Sequence, residues 1–282
     1  MDGFEFGGRI KVKLPEIGLG TWKIGGSFTP DHSMDEQLAG IVGRAIDMGY
    51  SLIDTAEVYG SGNAEQIVGN ALKGRNVFIA TKVWQSNLKY DDVLGAAEGS
   101  MRRLGIKTVD LYQIHWPSDH VPLRETMRAM EKLVWDGKVK FIGVCNFDEH
   151  LLDDARSYLS REDIVTDQVS YSLLDRGPED TLLDYCRKEN IGIIAYEPLA
   201  RKKVFGGMIG QALSTVAKKT GKTEAQVSLN WLICKGALPI PKSTDIRHLK
   251  ENIGAAGWRL SEDDVMKLDK AAGETGPEYS GK

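Results

Sequence analysis

The sequence predicts an α/β protein, a (β/α)8 TIM barrel with an N-terminal β-hairpin and two extra helices, on three observations. Short Ile- and Val-rich runs alternate with amphipathic stretches along almost the whole chain. The runs are near-continuous rather than alternating. Their spacing is regular, and no Pro/Ser-rich linker interrupts it. Continuous apolar runs are what parallel strands need, because helices cover one face and the barrel core the other. Eight such units in a row read as a closed barrel. A length of 282 residues suits one such barrel, so 1–282 is expected to be a single domain.

Phe4–Lys13 alternates around Gly7-Gly8 (Phe4, Phe6, then Ile10, Val12), which reads as a β-hairpin before the barrel. The barrel strands are then expected at Pro15–Trp22, Ser51–Thr55, Val77–Val83, Val109–His115, Phe141–Asn146, Thr166–Ser170, Gly192–Glu197 and Ala237–Pro241. Helical stretches fall between them, among them Asp35–Met48, Asp91–Leu104, Leu123–Trp135 and Pro178–Glu189. Asp91 is expected to cap one helix, and Ser261, with Asp264 three residues on, another. Gly206–Lys235 holds two helical patterns split at Thr220–Lys222, so one helix there is extra. Ser261–Lys270 reads as a further helix, followed by a Gly-rich tail expected to be mobile.

Composition narrows the function classes. A net charge of −4 gives no electrostatic reason to expect a nucleic-acid partner. Cys145, Cys186 and Cys234 lie far apart in apolar stretches, without a CxxC or Cys/His cluster, so no disulfide framework or zinc site is expected. The five histidines are scattered, with no HxH or HExxH, and no metal is expected. The opening MDGFEFGGRI lacks the pattern of a signal peptide, and no apolar run is long enough to span a bilayer; the expectation is a cytoplasmic protein. A GKT occurs at Gly221–Thr223, but Val216 stands where a P-loop needs its first glycine. No GxGxxG follows a strand, which speaks against a Rossmann dehydrogenase.

In this barrel class the active site lies at the C-terminal ends of the strands. The second expected strand ends near Asp54, the third near Lys82 and the fourth at His115, while Tyr59 lies in the loop just after Asp54. Singly, each has a duller reading: a helix-capping Asp, a paired Lys, a core His, a surface Tyr. Four converging on one barrel mouth outweigh those separate readings. Reduction of a carbonyl by hydride leaves an alkoxide that needs a proton. A tyrosine is a weak acid unless a lysine ammonium stabilises its anion, and a carboxylate holds that lysine charged. A histidine can orient the carbonyl oxygen by a hydrogen bond.

At these residues the chain resembles the aldo-keto reductases. The matching segments are GLGTW (Gly18–Trp22), DTAEVYG (Asp54–Gly60), TKVW (Thr81–Trp84), DLYQIHWP (Asp110–Pro117), GKVKFIGVCNF (Gly137–Phe147) and PIPKSTDIRHLKEN (Pro239–Asn252). The resemblance implies reduction of aldehydes and ketones to alcohols, with Tyr59 as general acid, Lys82 and Asp54 tuning it, and His115 orienting the carbonyl. It further implies a nicotinamide held through its carboxamide by Asn146 and Gln168 and stacked on Tyr196. Gly20, Thr21 and Asp54 would approach the ribose, and Leu199 and Arg201 would lie over the pyrophosphate.

Lys242, Ser243 and Thr244 resemble the family's site for the adenosine 2′-phosphate, which favours NADPH. The family often has an arginine six residues beyond that lysine; here the position is His248, preceded by Arg247, so use of NADH stays open. Glu251 and Asn252 match the residues that hold the adenine. Cys145 stands where the family usually has serine, and reads as packing rather than a nucleophile. Trp22, Trp84 and Trp116 are expected to line the substrate mouth together with His115. Short loops imply an open site for small aldehydes, sugar-derived carbonyls or α-keto compounds. The alternative is an NADPH-binding regulatory subunit with little turnover, resembling the potassium-channel β-subunits of the same fold.

Overall fold

The computed structural model describes residues 3–273. A two-stranded antiparallel hairpin, β1 (Gly3–Phe6) and β2 (Val12–Pro15), precedes an eight-stranded parallel sheet. The sheet runs in chain order through β3 (Leu19–Gly20), β4 (Leu52–Asp54), β5 (Phe78–Val83), β6 (Val109–Ile114), β7 (Val139–Cys145), β8 (Ile164–Ser170), β9 (Gly192–Tyr196) and β10 (Ala237–Pro239). Backbone hydrogen bonds from Gly18 N to Pro239 O (3.0 Å) and from Gly20 N to Pro241 O (3.3 Å) join its first and last strands.

That seam explains why the first strand is shorter than the expected Pro15–Trp22. Pro15 pairs with Gly3 in the hairpin, and only Leu19 and Gly20 remain for the barrel ladder. The seam is tight. A Cβ on Gly18 would lie 2.5 Å from the Leu52 side chain, and one on Gly20 would lie 2.6 Å from the Ile240 carbonyl oxygen. Gly18→Val is therefore expected to destabilise the fold by about 3 kcal/mol, the upper end of ordinary overpacking. Urea unfolding checks this, and an unchanged midpoint would show that the seam can open.

The hairpin plugs the bottom of the barrel. Val12 and Leu14 pack with Leu52, Ala80, Leu111, Ile194 and Leu238 of the strands. Gly7 exchanges hydrogen bonds with Asn190, and Phe6 approaches Gly192 so closely that a Cβ there would lie 2.3 Å from the ring. Gly7–Lys11 form the turn, so Ile10 lies in it rather than in a strand.

The helices are α1 (Asp35–Asp47), α2 (Asn63–Leu72), α3 (Tyr90–Leu104), α4 (Leu123–Trp135), α5 (Glu149–Ser157), α6 (Leu182–Glu189), α7 (Gly207–Thr220), α8 (Glu224–Cys234), α9 (Ile246–Ile253) and α10 (Glu262–Gly273). The expected split at Thr220–Lys222 separates α7 from α8, and Thr223 with Gln226 forms a capping box on α8. The extra pair is α7 and α10, which pack against each other and share the Lys219–Asp264 ion pair. Ser261 accepts from Asp264 N at the start of α10 as expected. Asp91 does not cap α3: the helix starts at Tyr90, so Asp91 sits within its first turn, and Lys89 holds the cap position without a side-chain bond. Pro178 belongs to a separate 3-10 turn ahead of α6. The expected mobile tail lies outside the described residues. No helix of the described residues is long and apolar enough to cross a membrane.

Candidate active site

Alternation along the strands carries the chemistry to the barrel mouth. A strand's side chains point to the same face every second residue, so the residue two beyond each core-filling position also points inward. Leu52 is followed by Asp54, Ala80 by Lys82, Leu111 by Gln113 and Ile194 by Tyr196. The lower layer is apolar; the layer above it is polar.

Within that upper layer the Lys82 Nζ donates to Asp54 Oδ1 (2.5 Å), Thr55 O (2.8 Å) and the Tyr59 hydroxyl (3.2 Å). All three of its protons are thus used, as a wholly buried ammonium requires. Burial is the largest influence on Lys82 and lowers its proton affinity, but the charge and hydrogen bond of Asp54, with Tyr59 and Cys145 adding, together outweigh it, and the lysine stays charged well above neutrality. Tyr59 follows a different balance from the one its sequence suggests. Burial pushes its phenol up to about 12, with Lys82 pulling down and Asp54 pushing up, so the ammonium only moderates the rise. Tyr59 holds its proton throughout the physiological range.

His115 follows β6 and packs edge-on against Tyr59 (ring centroids 5.5 Å) and Trp84 (5.0 Å). Burial and the charge of Lys82 hold its imidazole far below the usual range, at about 2. It is expected to remain neutral, a hydrogen-bond donor rather than a cation, across about pH 5–8, where histidine ordinarily titrates. Imidazole 15N shifts check this; titration of His115 near pH 6.5 would refute it.

A cavity of about 1220 Å³ opens above these groups and runs along the ends of the strands to α9. Gly20, Thr21, Asp54, Tyr59, His115, Asn146, Gln168, Tyr196, Leu199 and Arg201 line it, as do Trp22, Trp84 and Trp116. Lys242, Ser243, His248, Glu251 and Asn252 line its far end. Lys82 lies just beneath the floor. The Asn146 amide is held between the Tyr196 hydroxyl, which donates to its Oδ1 (3.0 Å), and the His115 carbonyl, which accepts from its Nδ2 (3.2 Å).

Two residues expected at the phosphate end stand apart from the cavity. Arg247 is turned outward onto the Asp245 carboxylate (2.7 Å), whose other oxygen caps α9 through Arg247 N. The Arg247 side chain is 88% exposed, so this contact is a surface ion pair of modest strength. Thr244 likewise does not line the cavity, and the Ser243 hydroxyl bonds to the backbone of Asp245. Arg201 is drawn to Glu197 (2.6 Å), in a segment where Ala200, Arg201 and Lys202 all have positive φ.

The sequence reading passed over two groups. Gln113 donates to Asp54 Oδ2 (3.3 Å) beside Gln168, which donates to the same oxygen (2.8 Å). Its signal was a polar residue on the inward phase of its strand, opposite Lys82. Lys23 lines the cavity; burial, and to a smaller extent the charge of Lys23, lowers Lys242. Neither lysine makes an ion pair among the described residues, so two cations face the same cleft. Cys145 also lines it, but burial holds its thiol protonated, as its apolar setting suggested.

Comparison with known proteins agrees with this geometry. The model of the aldo/keto reductase family matches residues 16–272. Methylglyoxal reductase YeaE of Escherichia coli is 36% identical over 265 residues, covering 92% of each chain. Glyoxal reductase of Bacillus subtilis is 34% identical over 263 residues, covering 92% of this chain and 89% of its own. Among solved structures, the thermostable aldo-keto reductase Tm1743, crystallised with the inhibitor epalrestat, superposes with a TM-score of 0.92 at 43% identity, over 96% of this chain and 100% of that one. An aldo/keto reductase of Klebsiella pneumoniae bound to NADP and acetate gives 0.85 at 34% identity, over 100% and 97%. The chain is a (β/α)8 barrel oxidoreductase, and it belongs to the aldo/keto reductase family.

Proposed function

We propose that this protein reduces small aldehydes and α-dicarbonyl compounds to alcohols with NADPH, using Tyr59 as the proton donor. The observation that carries the reading is the Asp54–Lys82–Tyr59 chain of hydrogen bonds at the floor of a cavity whose lining runs from Trp84 and His115 to Glu251 and Asn252. The residues fit NADPH. Asn146 and Gln168 offer amides where a carboxamide needs partners, Tyr196 offers a ring, and Lys23 and Lys242 offer unpaired cations for phosphates. The related structure with NADP and relatives acting on methylglyoxal and glyoxal support the same assignment.

Bound NADPH supplies the hydride that reduces the carbonyl carbon. His115, neutral, donates a hydrogen bond that orients the carbonyl oxygen, and Trp22 and Trp84 wall the site from water. Tyr59 gives its proton to that oxygen as negative charge builds on it, and Lys82 stabilises the tyrosinate left behind. Solvent reprotonates Tyr59 once the alcohol has left.

The test is oxidation of NADPH, followed by absorbance, with methylglyoxal, glyceraldehyde and a nitrobenzaldehyde. Turnover supports the reductase; tight NADPH binding without turnover would move the assignment to a cofactor-binding regulatory subunit. Lys242→Ala is expected to weaken NADPH binding about tenfold and NADH binding less, because only NADPH carries the extra phosphate charge. With a histidine at position 248 and Arg247 turned toward Asp245, some use of NADH is expected. Equal losses for the two dinucleotides in Lys242→Ala would sink the phosphate assignment.

A further inference from the structure

Phe28 is 57% exposed, yet it belongs to the cavity wall. Exposed phenylalanines at loop tips are common where the loop can move and the ring can fold away. Here the loop is fixed. Gly25 and Gly26 turn it with positive φ, and a Cβ on Gly26 would lie 2.1 Å from the Thr29 carbonyl oxygen. Asp31 N donates to Gly25 O (2.8 Å), and the buried Asn63 amide donates to Gly25 O (3.2 Å) and Asp31 O (3.3 Å).

The strongest anchors come from the turn that carries Tyr59. Gly60 N donates to Ser27 O (2.6 Å), and the Ser61 hydroxyl donates to the carbonyl of Phe28 itself (2.7 Å). The exposed ring is therefore held in register with the group that gives up the proton. It stands edge-on to Trp22 (centroids 5.2 Å) and tilted to Trp84 (6.3 Å), and those two rings contact Tyr59 and His115 in turn. Trp22, Phe28 and Trp84 make a three-walled aromatic clamp over the reacting pair, with one face of Phe28 left to solvent.

Trp135 and Met266 are as exposed and stand away from this cavity, so exposure alone says little. What sets Phe28 apart is that its ring continues the Trp22–Trp84 cluster into the cavity, where a ligand can bury it. From this geometry we infer that Phe28 is a specificity-determining residue, and that the preferred substrates carry an aromatic group on the carbon next to the reacting carbonyl. The aryl ring fills the clamp in edge-to-face contact with Phe28, Trp22 and Trp84, an arrangement aromatic rings favour. A substrate with only a methyl group there leaves Phe28 exposed. The inference rests on the carbonyl-reductase reading and narrows its substrate class.

Phenylglyoxal and methylglyoxal test it, because they share the dicarbonyl and differ only in phenyl against methyl. The wild-type kcat/KM is expected to favour phenylglyoxal by at least about tenfold, the scale of a well-placed aromatic contact plus ring burial. Phe28→Ala is expected to lower that ratio about tenfold, chiefly through KM for phenylglyoxal, and Phe28→Tyr to retain it. A wild-type ratio near one, or a ratio untouched by Phe28→Ala with both substrates still reduced, overturns the inference and leaves the reductase standing. No turnover of either compound by the wild type overturns both.

Discussion

Tyr59→Phe is expected to lower kcat by at least about a hundredfold, the usual scale for losing a general acid, while leaving NADPH affinity nearly unchanged. The substitution is clean in this site. Phenylalanine keeps the ring contacts with Trp22 (4.9 Å) and His115 (5.5 Å), so the cavity wall is retained. Lys82 loses its weakest partner, at 3.2 Å, and keeps Asp54 at 2.5 Å and Thr55 O at 2.8 Å. What disappears is the proton. Because burial holds the phenol up at about 12, the wild-type proton donor is fully loaded over the ordinary assay range, and its kcat for reduction should decline only on the alkaline side. Steady-state rates with methylglyoxal, and NADPH dissociation constants from fluorescence titration, separate the two effects. A variant turning over near the wild-type rate would remove Tyr59 from its role.

How far the sequence led depends on the range of the interaction. Asp54, Lys82 and His115 are legible because strand period and barrel topology place them: each ends an apolar run, and each run must be a parallel strand. Tyr59 follows from its short tether to Asp54. Gln113 sat in plain view, but an inward-facing polar residue is recognisable only once the phase of its strand is known. Phe28 was not legible. Its position depends on Asn63, Gly60 and Ser61, more than thirty residues away in sequence, gripping its loop. The contact of Arg247 with Asp245 was not legible either, since a sequence match with phosphate-binding positions carries no sign of a neighbouring carboxylate's orientation. The hairpin was visible from its alternation, but its second strand runs on to Pro15 because the plug needs Leu14 against the barrel floor.

Lys82→Met should damage stability and turnover together, and a second substitution should separate them. Methionine fills similar space without charge, so the change leaves the Asp54 carboxylate in the barrel core with only the Gln113 and Gln168 amides as donors. Breaking a buried ion pair from one side typically destabilises by about 3–5 kcal/mol, mostly through the orphaned charge rather than the lost attraction. Urea unfolding near neutral pH should show a loss of that order. The loss should shrink in mild acid, where the orphaned carboxyl can take up a proton. Adding Asp54→Asn removes the charge, and the double variant is expected to regain most of the stability. Turnover is not expected to return, because no cation is left to support the tyrosinate formed at Tyr59. Recovery of both stability and turnover in the double variant would show that the ammonium serves the fold alone. Recovery of stability without turnover, with Asp54→Asn alone still turning over, would place Lys82 in proton transfer, independently of its part in holding the barrel together.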